Sequence, residues 1–353
     1  MDLLVLDTNF DAVAVIDTYE SLIWTERYDA YGDFELILPI TEETLQLLKQ
    51  DYYIENQESE HLMIIEKILI NIDPDKGNRL TVSGRSAESI LDRRVVWGTQ
   101  TVSGNLQNGV KTILQLNIIS PSTASRRIGN FIFEESTDSA ITGLTLDAQF
   151  TGDNLYDAIH ELCAERNIGF KITLNAAKQF VFKLYAGKDR SYNQLVNPYV
   201  IFSPEFDNAI DTNYIESRLP MKNVALIGGE GEGTARKYAI TDSTLSGLDR
   251  RELFVDARDI SSDKGNNTSM TDDDYKKLLL QRGNEGLAEH VEIISFEGEV
   301  DGTTMFKYRE DFYNGDIIQI VDEYGHETAS RVVEVIISEN ENGRAMYPTF
   351  KTT

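Results

Sequence analysis

The chain has 353 residues, and 33 Lys and Arg against 59 Asp and Glu leave a net charge of −26. That balance excludes a protein that grips DNA or RNA electrostatically, and it argues against docking on anionic lipid, although nucleic acid can pass such a surface without adhering. A single cysteine, Cys163, excludes an intramolecular disulfide.

No apolar run approaches the roughly 18 residues of a membrane helix. The start, "MDLLVLDTNFDAVAVIDTYES", carries early acids and lacks the basic region of a signal peptide, so synthesis in the cytoplasm is expected. The length allows two or three domains with ample core.

In chain order, β-strands come first. "SLIWTERYDAYGDFELILP" (21–39) reads as two strands around "YDAYGD". "LMIIEKILINI" (62–72) and "RLTVSG" (79–84) flank "DPDKGN", a turn-forming run. A short helix, "SAESILDR", with Ser86 as expected N-cap, closes a β-rich unit over 1–97.

The middle, 98–200, reads as a small α+β module. "GNLQNGVKTILQLNII" (104–119) is helical in part. "GDNLYDAIHELCAERNIGFKITL" (152–174) reads as a helix and then a strand. Leu155, Ile159, Leu162 and Cys163 share the helix's apolar face, and Gly169 marks its exit. "QFVFKLYAG" (179–187) pairs with that strand.

From 201 to 353 the pattern returns to β, with a helical insertion near 263–290. "KNVALIGGEGEGTARKYAI" (222–240) contains Gly228, Gly229, Gly231 and Gly233 after an apolar strand, Val224–Ile227. Glu230 and Glu232 would repel a phosphate, Thr234 stands where a dinucleotide loop needs glycine, and no amphipathic helix follows. The stretch therefore reads as a hairpin tip, with Ala235–Ile240 returning. In "TDDDYKKLLLQRGNEGLAEH" (271–290), Thr271 is the expected N-cap, and Asp272 to Asp274 complement the helix dipole. In "SRVVEVIIS" (330–338), Val333, Val335 and Ile337 fall on one face of a strand.

Chemistry-bearing residues form no constellation. The histidines are His61, His160, His290 and His326. "HELCAE" (160–165) has Ala164 where a zinc-protease helix needs its second His. His160 and Cys163 lie one turn apart but have no companion ligands, so a core-facing thiol beside a surface imidazole is the simpler reading. "DARDISSDKGNN" (256–267) does not match a calcium loop. Trp24 and Trp97 both read as core. No residue is assigned to catalysis, to a cofactor or to a metal.

One internal similarity stands out. "ERYDAYGDFELIL" (26–38) and "REDFYNGDIIQIV" (309–321) each place Gly-Asp, Gly32-Asp33 and Gly315-Asp316, before an apolar strand. If this is a duplication, the chain holds two related β-barrels with a helical insertion between them.

Together with "VSGRSAESILDRRVVW", "SPEFDNAIDTNYIESRLPMKNVALIGGEGEG" and "YREDFYNGDIIQIVDEYGHETASRVVEVIIS", these segments resemble the tail-hub (baseplate-hub, tail-tip) proteins of bacteriophages with long non-contractile tails, over nearly the full length. That family is similar to the hubs of contractile injection systems. The resemblance implies an α+β, β-rich fold. Its parts would be a first tube-like β-barrel over 1–97, an α+β insertion over 98–200, and a second barrel over 201–353. It implies a structural virion protein at the tail tip. As a homotrimer it would join a sixfold tube to a threefold tip, close the tube and open for DNA ejection. The expected neighbours are the distal tail protein ring, the tape-measure protein and receptor-binding or tip proteins. DNA would pass without specific binding, and no membrane insertion, cofactor or enzyme activity is expected. Because the chain stops directly after the last hub-like strands, a free-standing hub is expected. A tail-associated cell-wall hydrolase and a carbohydrate-binding module are the alternatives.

Overall fold

The structure is a computed structural model that describes the chain except residues 73–76, 207, 209, 243, 266–267, 300–304, 323 and 353. Part of the "DPDKGN" turn and the end of the 256–267 loop lie outside the described residues. The fold is α+β and rich in strands.

The first part contains β1 (Leu3–Leu6), β2 (Ala12–Ile16), β3 (Ser21–Arg27), β4 (Asp33–Pro39), α1 (Glu42–Leu47), β5 (Tyr53–Asn56), β6 (Leu62–Ile64), β7 (Lys67–Asn71) and β8 (Arg79–Arg85). β3 and β4 form the expected hairpin. The expected single strand over 62–72 is instead broken at Ile65 and Glu66 into β6 and β7, which join different sheets. The turn at Ala87–Arg93 is a 3-10 helix, and Ser86 does not cap it with its side chain. Ser86 Oγ accepts the Gly32 N–H at 2.7 Å instead, tying the turn to the β3–β4 hairpin.

The middle holds β9 (Thr99–Asn105), α2 (Leu106–Leu114), β10 (Phe131–Glu134), α3 (Ser139–Thr142), β11 (Thr145–Thr151), α4 (Leu155–Glu165), β12 (Gly169–Leu174) and β13 (Phe180–Tyr185). α4 buries Leu155, Ile159, Leu162 and Cys163 together, and β12 pairs with β13 as the alternation predicts. The helix exit differs from expectation. Asn167 takes the left-handed turn, at φ +54°. Gly169 is the first strand residue, and it is small because a Cβ there would lie 2.5 Å from the Tyr28 carbonyl oxygen.

The rest comprises β14 (Ile201–Phe202), β15 (Ile210–Ser217), β16 (Val224–Gly228), β17 (Tyr238–Ile240), β18 (Glu252–Asp256), β19 (Asp263–Gly265), β20 (Thr268–Ser269), α5 (Asp272–Ala288), β21 (Ile293–Glu299), β22 (Ile317–Val321), β23 (Glu327–Asn340) and β24 (Gly343–Thr352). The glycine-rich loop is a hairpin tip: β16 pairs antiparallel with β17, and Gly231 and Gly233 take positive φ. The return strand is shorter than expected, because Gly233–Ala235 is a 3-10 turn. Thr271 caps α5 by accepting the Asp274 N–H.

Among the described residues, three apolar cores result. One fills the middle part and includes Ile113, Phe150, Ile159 and Phe182. A second lies under the large sheet and includes Leu22, Trp24, Phe34, Val82, Val335 and Ile337. The third packs α5 on β16–β18.

Candidate assembly surface and buried junction

The large sheet carries one continuous row of strands in the order β15-β21-β24-β23-β3-β4-β8-β7. Each half of the row, β15-β21-β24-β23 and β3-β4-β8-β7, is a set of antiparallel neighbours with the same order. The backbone repeats in detail. Asp51 N–H donates to Ile65 O at 2.8 Å, and Ile65 N–H donates to Tyr52 O at 2.8 Å. In the other half, Gly315 N–H donates to Val332 O at 2.7 Å, and Val332 N–H to Asp316 O at 2.9 Å. Asp51 and Gly315 are both left-handed, at φ +64° and +91°.

The strand order and the turn backbone of the two halves therefore repeat, but not in the register that the two Gly-Asp pairs suggest. Gly315-Asp316 corresponds to Asp51-Tyr52, whereas the counterpart of the β3–β4 hairpin is β15–β21. Residues 218–292 are inserted into that second hairpin.

The halves join where β23 pairs antiparallel with β3, from Glu334↔Arg27 to Asn340↔Ser21. Among the described residues, the outer edges of β7 and β15 are unpaired. The β7 end is apolar on both faces: Leu69 and Ile70 are exposed, as is Ile72 just beyond. At the other end Ile215, Leu219 and Ile293 are exposed.

Beneath the join lies a buried charge cluster. The Glu26 carboxylate accepts from Trp24 Nε1 at 2.9 Å, Ser59 Oγ at 2.6 Å and Tyr308 Oη at 2.8 Å, and it pairs with Arg309. Burial works against its charge, but His61, Arg309 and Ser59 outweigh it and hold the carboxyl at about 2. His61 Nδ1 lies 3.3 Å from Glu88 Oε1, which also accepts the Ile172 N–H. Burial disfavours the imidazolium, yet Glu88 and Glu26 raise the His61 pKa. A second buried pair, Arg190 Nε to Asp316 Oδ2 at 2.6 Å, ties the exit of the middle part to the second half.

The sequence reading singled out His61 only as one of four histidines. Its partner Glu26 and the distant Arg309 went unnoticed, because an isolated Glu in a strand pattern reads as a solvent-facing residue.

The other candidates are dispersed. Cys163 is fully buried, and burial pushes its thiol pKa up. Half-buried His160 points Nδ1 at Asp29 O, 2.7 Å away, and stacks on Tyr156. His290 contacts Gly286 O, and His326 lies beside Asp322. Asp272 to Asp274 form the first turn of α5. Among the described residues no three His, Cys, Asp or Glu converge as metal ligands. Glu230 accepts from the Ser262 amide and hydroxyl and pairs with Lys237, closing the glycine hairpin against the 256–267 loop. Trp24 is core as expected. Trp97 is not: it is exposed, with the Arg126 guanidinium 4.2 Å from its ring centroid, which shields one indole face without burying it. No helix among the described residues is long and apolar enough to cross a membrane.

This strand-rich scaffold, with its repeated half-sheets, has the fold of several solved phage tail proteins. The chain belongs to the family of Siphovirus ReqiPepy6 Gp37-like proteins, whose model matches residues 2–350. No curated protein matches. Among solved structures, the chain is similar to the 43 kDa tail protein of prophage MuSo2 from Shewanella oneidensis, with 12% identity and a TM-score of 0.59 over 100% of this chain and 98% of that one. It is also similar to the prophage tail protein gp18 from Listeria monocytogenes EGD-e, with 10% identity, a TM-score of 0.55 and coverage of 99% and 94%. A tail protein from Neisseria meningitidis MC58 gives 11% identity, a TM-score of 0.55 and coverage of 99% and 95%. At these identities the likeness is one of fold.

Proposed function

We propose that this chain is the tail hub at the tip of the virion tail, a structural protein that acts without enzymatic chemistry. The carrying observation is the duplicated row. Three copies, each contributing two equivalent halves, supply six similar units, which reconciles a sixfold tube with a threefold tip. In this reading each half of the row belongs to one of the two tube-like β-barrel domains of the chain. The partners are a distal tail protein ring above, with the tape-measure protein and receptor-binding or tip proteins completing the tip. The hub closes the tube until adsorption and then lets DNA leave.

The row's solvent face, which lines the channel in this reading, mixes charge signs and hydroxyls. The run Ala345–Ser338–Ile23–Glu35–Ser83–Lys67 crosses it side by side. With little net positive charge, such a wall gives DNA nothing to adhere to.

Negative-stain electron microscopy of the purified chain, alone and with its distal tail ring, tests the reading. Threefold rings with six lobes are expected. A chain that stays monomeric and ignores the ring overturns it.

A further inference from the structure

In a chain of net charge −26, arginines gather at one place. The segment "DRRVVW" (92–97) and the 3-10 turn Ala124–Arg126 meet at a cleft of about 370 Å³. Arg93, Arg94, Val95, Trp97 and Arg126 line it, and Arg127 follows on the exposed surface.

Carboxylates do not neutralise this group. Arg94 donates through Nε to Arg126 O at 3.1 Å and through Nη1 to Arg93 O at 2.9 Å. Arg126 donates to Val95 O and to Asn117 Oδ1. Among the described residues Arg94, Arg126 and Arg127 pair with no acid. Arg93 reaches Asp51 and Glu66 only at 3.8 and 3.9 Å. Asp92 also lines the cleft, but Arg85 takes it at 2.9 Å and Asn154 at 2.8 Å. Neutral carbonyls thus hold the Arg94 and Arg126 guanidiniums in place and leave their charge and remaining N–H donors available. Burial and the neighbouring Arg94 lower the Arg126 pKa, as expected of two cations held close together.

The backbone beneath is fixed. Val95 is bridged to Asn154, Val96 N–H donates to Asp153 O, and Gly152 N–H donates to Val96 O, which ties the segment to the start of α4. Its apolar side chains nonetheless stay open: Trp97 is 53% exposed and Val95 44%. Arginine and tryptophan around a cleft on a fixed backbone are the composition of a binding hot spot.

We infer that this cleft docks an acidic segment of a partner protein, whose carboxylates meet Arg93, Arg94 and Arg126 while an apolar residue lies on Trp97 and Val95. Charge complementarity sets the sign of the occupant, because guanidinium forks match carboxylates. The charge of the whole chain sets its size. A long polyanion such as DNA runs beyond the patch along a strongly acidic protein. A short segment stays within the roughly 8 Å over which the patch acts at physiological salt. The inference needs neither the trimer nor the tube, so it stands or falls apart from the hub reading.

Trp97 reports on the site directly, because the other tryptophan, Trp24, is fully buried. The probe is a synthetic peptide with four glutamates around a central leucine, titrated into the full chain. A saturable change in Trp97 fluorescence is expected, with protection of Trp97 from acrylamide and weaker binding as salt rises. Arg93→Gln combined with Arg127→Gln should weaken binding about tenfold. Neither side chain anchors the backbone, and an unfolding temperature within a few degrees of the parent shows that the fold is intact. The same peptide with glutamine for every glutamate should not bind. The inference is overturned if the acidic peptide leaves Trp97 unchanged up to millimolar concentration, if the glutamine peptide binds equally, or if the double variant binds as well as the parent. A single-stranded DNA oligonucleotide that binds more tightly than the peptide, and loses binding in the same variant, makes the cleft a polyanion site and overturns it as well.

Discussion

The two halves of the strand row share one order and differ at the tip of their first hairpin. In the first half β3 and β4 are joined by residues 28–32; in the second, β15 and β21 are separated by residues 218–292, which fold around their own core. The row is constrained by neighbours on both sides, whereas a hairpin tip needs only its two ends close together, so an insertion there costs little loop entropy. The same freedom applies to the core-side connections. The first half is buried against the middle part, while the second lends Tyr308 and Arg309 to the first half's Glu26. The halves are equivalent as sheets and unequal as electrostatic environments.

The strongest break of that inequality is Arg309→Met. Glu26 loses its guanidinium while fully buried, and uncompensating a buried charge costs about 3–5 kcal/mol. Thermal unfolding should fall by many degrees. The pairing Glu26→Gln with Arg309→Met should restore much of it, because no charge is then stranded. The pH dependence carries a sign. The depressed Glu26 pKa, about 2 against an ordinary 4.5, contributes stability above pH 4.5 that is lost as pH falls toward 2. The raised His61 pKa contributes stability that is full below its ordinary 6.5 and lost as pH rises through its folded value. Chemical denaturation from pH 3 to 9 should show the junction strongest between roughly pH 4.5 and 6.5, and His61→Gln should flatten the alkaline side.

Next is Gly315→Ala. A Cβ at Gly315 would lie 2.1 Å from the Tyr28 ring, on a backbone at φ +91°. Strain and overpacking together should cost about 2–4 kcal/mol, read as a shift of the urea midpoint at constant slope.

A third test concerns the inserted module, which has no counterpart in the first half. α5 rests on α4 through Gln281, which bridges Glu165 and Glu285. Burial, set against Gln281 and Arg282 and reinforced by Glu161 and Glu165, raises the Glu285 pKa to about 7. A raised carboxyl contributes stability that is present below pH 4.5 and lost as pH rises through 7. Glu285→Gln should be near neutral at pH 4.5 and stabilising by about 2–3 kcal/mol at pH 8, from one pKa unit being about 1.4 kcal/mol. Equal effects at both pH values would mean that the carboxyl is ionised throughout.

These contrasts also explain what could be read in advance. The β3–β4 hairpin, the α4–β12–β13 unit, the Thr271 cap and the glycine hairpin depend on neighbours in sequence, and periodicity or capping chemistry exposes them. A repeat was visible, but the repeated turn lies in a different register. The left-handed residue that opens the repeated turn is Gly in one half and Asp in the other, so the Gly-Asp string at 32–33 matched a different turn. Glu26 and Arg309 are 283 positions apart, and nothing local announces that the fold brings them together. Trp97 looked like core because indoles usually are, but a cation on its ring lets it stay exposed.

The smallest effect tests the corrected register itself. Asp51 sits where Gly315 sits in the other half, at φ +64°, but its side chain is exposed, 3.8 Å from the Arg93 guanidinium. A non-glycine residue there carries left-handed strain, which Asp tolerates better than most because its short polar side chain can bond locally. Asp51→Gly relieves that strain and adds freedom to the unfolded chain, so the two terms nearly cancel. A change within about 1 kcal/mol is expected. Asp51→Val should cost more, because a β-branched residue is a genuine outlier in this region. If the Gly variant is neutral, the Val variant destabilised and Gly315→Ala worse than either, the two turns are one backbone device differing only in what packs on it. If Asp51→Val is as mild as Asp51→Gly, the left-handed turn is not what holds β5 against β6, and the equivalence of Asp51 with Gly315 fails at the residue on which the register was built.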